Sequence, residues 1–230
     1  YQVTQREDFV RVAREVLDYL EREMSAPRGG FYSATDADSE GEEGKFFVWS
    51  LAEIERLVSP KQLNLIQSHY GVTQQGNFEE KNILYVAQPL TSVASALKLP
   101  LDQAQRELQE ARHTLYQARR KRVPPHTDTK VLVSWNGLAI SALAKGAQVL
   151  NAPAYGERAK QTATFILNHM KKDGQLQRSA LGTIVSGAAY LDDYAFFIAG
   201  LLDLYEATFE LRWLQEAIAL QRVLDNHFWD

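Results

Sequence analysis

Two stretches of this chain are apolar on almost every side, and they recur at a fixed distance. SWNGLAISALAKGAQVL (134–150) contains a single charged residue, Lys145, and DYAFFIAGLLDLYEATF (193–209) is nearly as apolar around its whole circumference. A helix that is apolar all round must be surrounded by other helices. Each stretch is followed by a half-polar helical pattern, ERAKQTATFILNHMKK (157–172) and LQEAIALQRVLDNHF (214–228). Sliding 134–159 forward by 58 residues lays Trp135 on Asp193, Leu143 on Leu201, Tyr155 on Trp213 and Ala159 on Ala217. A buried helix, a short turn and a one-faced helix therefore form a repeating unit. Such inner-plus-outer hairpins predict an all-α chain of the (α/α) toroid class, with inner helices around a central cavity. EDFVRVAREVLDYLEREM (7–24) is expected to be another outer helix, burying a stripe of Phe9, Val12, Ala13, Val16, Leu17, Leu20 and Met24.

Between these helices lie shorter signals. DGQLQRSALGTIVSG (173–187) alternates between two glycines and reads as a hairpin, and GKFFVWS (44–50) and NILYVAQ (82–88) read as strand-like. Ser50 and Glu53 form a capping box before SLAEIERLVS, PKQLNLIQSHYG is a second short helix, and 101–122 is a longer one ending before Pro124–Pro125. A six-hairpin ring at this period needs well over about 300 residues, so residues 1–230 read as a partial ring, roughly half to two thirds of one. The start at Tyr1 and the end within an amphipathic pattern point the same way.

Composition narrows the chemistry. Without cysteine, there is no disulfide, no thiol nucleophile and no thiolate zinc site, and neither a cofactor nor a metal is expected. The net charge is −4, and the one dense basic run, Arg119–Arg122, lies at a helix end, where it serves the dipole and a solvated face. Neither nucleic acid nor a membrane is an expected partner, since no apolar run approaches about 20 residues. The expected location is cytoplasmic.

Candidate site residues sit where inner helices begin. YLDDYAFF (190–197) places Asp192 and Asp193 in a first helical turn between Tyr190 and Tyr194. One carboxylate serves as cap while the other is free for acid/base work, and the flanking rings suit a sugar face. PPHTDTKVLVSWNGL (124–138) sets His126, Asp128 and Lys130 on one side of an extended loop before Trp135 and Asn136. The third element, GGFYSATDADSEGEEGKFFVWS (29–50), has three readings. It is an acidic turn, a cleft lining with Tyr32, Asp36, Asp38 and Trp49 as a polar-aromatic rim, or a calcium loop from Asp36. Against calcium, the twelfth position, where a bidentate Glu belongs, is Phe47.

GGFYSATDADSEGEEGKFFVW, KVLVSWNGLAISALAKG and YLDDYAFFIAGLLDLYEATF together resemble a family of large thioredoxin-domain-containing proteins, the spermatogenesis-associated thioredoxin-like proteins. The resemblance implies a thioredoxin-like domain before a six-hairpin toroid similar to N-acylglucosamine 2-epimerases and six-hairpin glycosidases. This chain would be the first part of that toroid, and the thioredoxin-like domain of the full-length chain would be its partner. The implied activity is carbohydrate-active, epimerase-like or glycosidase-like, with a sugar or glycan as ligand. The alternative is a non-catalytic toroid that binds a glycan or a protein. The epimerases use two histidines, whereas here only His126 lies in a cleft-type loop. Asp192 or Asp193 with Asp36, Asp38 or Asp128 is therefore the open acid/base pairing.

Overall fold

The computed structural model describes residues 1–229. Its helices are α1 (Glu7–Glu23), α2 (Leu51–Leu57), α3 (Pro60–Tyr70), α4 (Leu90–Ala96), α5 (Leu101–Arg119), α6 (Val133–Val149), α7 (Pro153–His169), α8 (Leu191–Thr208) and α9 (Leu211–Phe228). The chain divides into two compact units, one formed by residues 1–34 and 127–230, the other by 35–126. The fold is all-α, of inner and outer helical hairpins, with short antiparallel inserts.

In the first unit the two repeats stand side by side. α6 and α8 run parallel, tied by contacts that reproduce the sequence period. Lys145 Nζ lies 2.7 Å from Asp203, and Gln148 donates to the Glu206 carbonyl, each pair 58 residues apart. Ser141 also donates to Asp203. The helices approach closely because Gly137 and Gly200 face the crossing. A Cβ at Gly137 would stand 2.5 Å from the Phe196 carbonyl carbon, and one at Gly200 2.6 Å from the Gly137 oxygen. The core between these helices and α7 and α9 contains Ile140, Leu143, Ile166, Phe197, Leu201, Leu204 and Trp213.

The insert between α7 and α8 is the expected hairpin, 175–181 paired with 184–188, and 130–132 adds to its other edge. α1 departs from expectation. Leu17 is its one buried residue, while Phe9, Val12 and Val16 are 43%, 48% and 52% exposed. Leu17 fits the groove left by Gly146, and the helix is fastened beside it by Arg14 donating to the Leu150 carbonyl and Tyr155 Oη donating to Asp18 at 2.6 Å. The apolar stripe is wider than the surface that contact covers.

The second unit packs α2, α3 and α5 around Ile54, Ile66, Leu108, Ala111 and Leu115. The Ser50–Glu53 capping box is present, and a second one joins Ser59 to Gln62. The two strand-like readings are corrected: 44–50 and 82–88 meet through one isolated bridge, Trp49 with Asn82. The physical reason is Arg122, whose Nη1 takes the carbonyls of Lys45, Phe46 and Val48 together and so folds that segment into turns. Residues 38–39 and 42–43 form a tight hairpin whose corner, Glu40–Gly41, has positive φ at both positions. The acidic stretch is thus a turn. Among the described residues no three His, Asp or Glu side chains gather to hold a metal ion. Among the same residues no helix is long and apolar enough to cross a membrane.

Candidate functional site

The amino-terminal ends of α6 and α8 lie together because one carboxylate serves both. Asp193, with no exposed surface, accepts from the Ser134 amide at 3.0 Å through Oδ1 and from the Tyr190 amide at 2.9 Å through Oδ2. Leu132, the N-cap of α6, has no side-chain acceptor of its own, so a single buried acid serves the starts of two neighbouring helices. Arg178, from the hairpin strand, sits 3.6 Å from Asp193 Oδ2 and lays its guanidinium over the Tyr190 ring, 4.2 Å from the centroid. Its Nη1 has no hydrogen-bond partner among the described residues.

Asp192, one residue earlier, is exposed. So are Trp135 and Tyr190, at 52% and 59%, and Leu191 and Phe196 continue the apolar patch at 49% and 39%. This end of the unit therefore presents two large rings, one unburied carboxylate and one guanidinium. Such a surface can hold a ligand with an apolar face and hydroxyl edges, and Asp192 can exchange a proton with it.

The other sequence candidates divide between support and surface. Asn136 is buried and fully satisfied: Oδ1 accepts from the Phe31 amide, and Nδ2 donates to the carbonyls of Phe31 and Leu132. It straps the 29–32 turn to α6. Tyr194 is buried, its hydroxyl accepting from the Leu176 amide. Tyr32 is half-buried. Asp128 and Lys130 form an ion pair at 2.9 Å, and that partner holds the Asp128 carboxyl below its usual range. They project together, as the alternation predicted.

In the second unit Trp49 is buried under the Arg122 guanidinium, 4.0 Å from the ring centroid. Asp36 and Asp38 are exposed, Asp36 turning one oxygen toward the Asp38 amide. His126 is exposed, with its carbonyl accepting from the Asp36 amide. Arg178 and Phe196 went unnoticed in the sequence. A cation in the middle of an alternating hairpin gives no local sign of which carboxylate it will meet.

No protein-family model matches the chain. It is 34% identical over 265 residues to spermatogenesis-associated protein 20 of Homo sapiens, and 31% identical over 250 residues to an uncharacterized protein of Caenorhabditis elegans. These alignments cover 100% and 95% of this chain and 34% of each relative, so the chain spans about a third of the length of the relatives it matches. Among solved structures, an unsaturated glucuronyl hydrolase from a Bacillus species aligns with 99% of this chain and 59% of its own, at 15% identity and a TM-score of 0.42. A cellobiose 2-epimerase from Bacillus thermoamylovorans aligns with 98% and 57%, at 12% identity and a TM-score of 0.43.

Proposed function

We propose that this homologue of spermatogenesis-associated protein 20 carries a sugar-binding surface at the common amino-terminal end of α6 and α8, and that Asp192 is the general acid or base of a carbohydrate-active domain. The observation that carries the reading is the exposure of Trp135 and Tyr190, 52% and 59%, beside an unburied carboxylate on two helix ends held in register by Asp193. Large rings left in water cost apolar hydration that burial would recover, so two exposed rings at one end of a helix pair are suited to a partner that covers them. A pyranose offers an apolar face for the rings and hydroxyls for Asp192 and Arg178.

A second reading, recognition without chemistry, is favoured by one fact. Asp193 is spent on two backbone amides, which leaves a single free acid in the 190–194 cluster, whereas glycoside chemistry ordinarily uses two carboxyl groups. In that case the domain binds a glycan or a protein and presents it to a thioredoxin-like domain of the longer chain.

The test uses the full-length protein and a broad sugar panel followed by NMR. Trp135→Ala and Tyr190→Ala are each expected to weaken binding of the responding sugar about tenfold or more. Asp192→Asn is expected to keep binding and abolish turnover. Binding with no chemical change in the wild type selects the recognition reading. If neither aromatic substitution alters the response to any sugar, this end of α6 and α8 is not the site.

A further inference from the structure

The second unit holds a recess of about 340 Å³ on which four cations, Lys45, Lys81, Lys121 and Arg122, face two carboxylates, Glu40 and Glu53. In a chain of net charge −4 this is a local excess of positive charge, and the two acids are already engaged. Glu53 Oε2 accepts from the Ser50 amide and hydroxyl, and its Oε1 lies 3.4 Å from Arg122. Glu40 lies 3.7 Å from Lys45, whose closer contact, 2.7 Å, is with Glu42.

The cations are of two kinds. Arg122 is fixed: Nη1 donates to three carbonyls, Nη2 faces Glu53, and Trp49 lies under the plane. Lys81 and Lys121 are uncommitted, since neither ammonium makes a hydrogen bond or a close ion pair among the described residues, Lys81 acting on Glu42 and Glu53 only through its charge at longer range. A carboxylate ligand would want the guanidinium fork, which is already occupied by the protein. Separate ammonium groups act instead as movable point charges, and they suit a doubly charged, tetrahedral group with several acceptor oxygens. The basic run that reads from sequence as a solvated helix end is thus divided, with Arg122 turned inward as an anchor and Lys121 left at the mouth.

We infer that this recess binds a phosphoryl group, free or as a small phosphomonoester, between Lys81 and Lys121 over the fixed charge of Arg122. Phe46, which also lines the recess, offers an apolar wall to whatever skeleton the ester carries. The site lies wholly within residues 35–126 and does not depend on the sugar-binding reading of α6 and α8.

The experiment is calorimetric titration of the full-length protein in low-salt buffer with glucose 6-phosphate, inorganic phosphate and glucose. Saturable binding of the ester, absent with glucose, is expected. It should fall about tenfold or more in Lys81→Ala/Lys121→Ala, two charge-assisted contacts being lost, and stay unchanged in Lys98→Gln, which lies off the recess. Inorganic phosphate matching the ester identifies the free ion as what is held, and a tighter ester identifies the monoester. The inference is overturned if neither phosphate probe binds, or if the double variant, with an unchanged melting temperature, binds them as the wild type does.

Discussion

Two aspartates one residue apart have opposite fates. Successive residues on a helix point about 100° apart, so when Asp193 turns toward α6 and is buried, Asp192 is carried to the outside. Removing Asp193 leaves two helix-end amides without their acceptor and Arg178 without its ion-pair partner. Asp193→Ala is accordingly expected to destabilise the fold by about 2–4 kcal/mol, and Asp193→Asn, which keeps one acceptor oxygen, by roughly half of that. Urea denaturation measures both. Asp192→Asn should leave the urea midpoint where it is, and that contrast separates the capping residue from the one offered to a ligand. An Asp193→Ala protein as stable as the wild type would contradict the capping role.

At the scale of elements, α1 is held mainly at Leu17, Arg14 and the Tyr155–Asp18 hydrogen bond. Burial, then the bond to Asp18, pushes the Tyr155 phenol up to about 12 from 10.0. A raised folded pKa means the folded protein binds more protons than the unfolded chain between those values. The contribution is therefore complete below pH 10 and is lost as pH rises toward 12. Tyr155→Phe is expected to cost about 1 kcal/mol near neutrality and to make the fall of the urea midpoint between pH 10 and 12 shallower. Equal slopes in the two proteins would show that the phenol carries none of the alkaline loss. The parallel pair α6 and α8 is set differently, by backbone approach at Gly137 and Gly200 together with the Asp193 cap and the Lys145–Asp203 pair.

Across the whole molecule, stability should follow burial. The center of the first unit lies at α6 and α8, where Ile140, Leu143, Phe197, Leu201 and Leu204 are fully covered, while α1 contributes one buried side chain. Native-state hydrogen exchange is expected to be slowest in α6 and α8 and earliest among the helices of that unit in α1. Protection of α1 equal to that of α6 would mean that its exposed stripe is covered in solution.

How much of this was legible follows a physical division. The helix types, their 58-residue period, the 175–188 hairpin and the Ser50–Glu53 cap are local, fixed by periodicity and by residues that bond within a few positions of themselves. The sequence also put Trp135, Tyr190 and Asp192 at the starts of buried helices, where the structure has them. What it could not assign was the role of each member. Asn136 and Tyr194 look like ligand groups but satisfy backbone from Phe31 and Leu176, 105 and 18 residues away. Arg122 looks like a solvated charge yet collects three carbonyls more than seventy residues back. Periodicity by itself determined which faces must be covered; only the packed chain decided which polar groups the covering would consume and which it would leave to water, because a hydrogen bond to a distant backbone leaves no trace in the residues on either side of it.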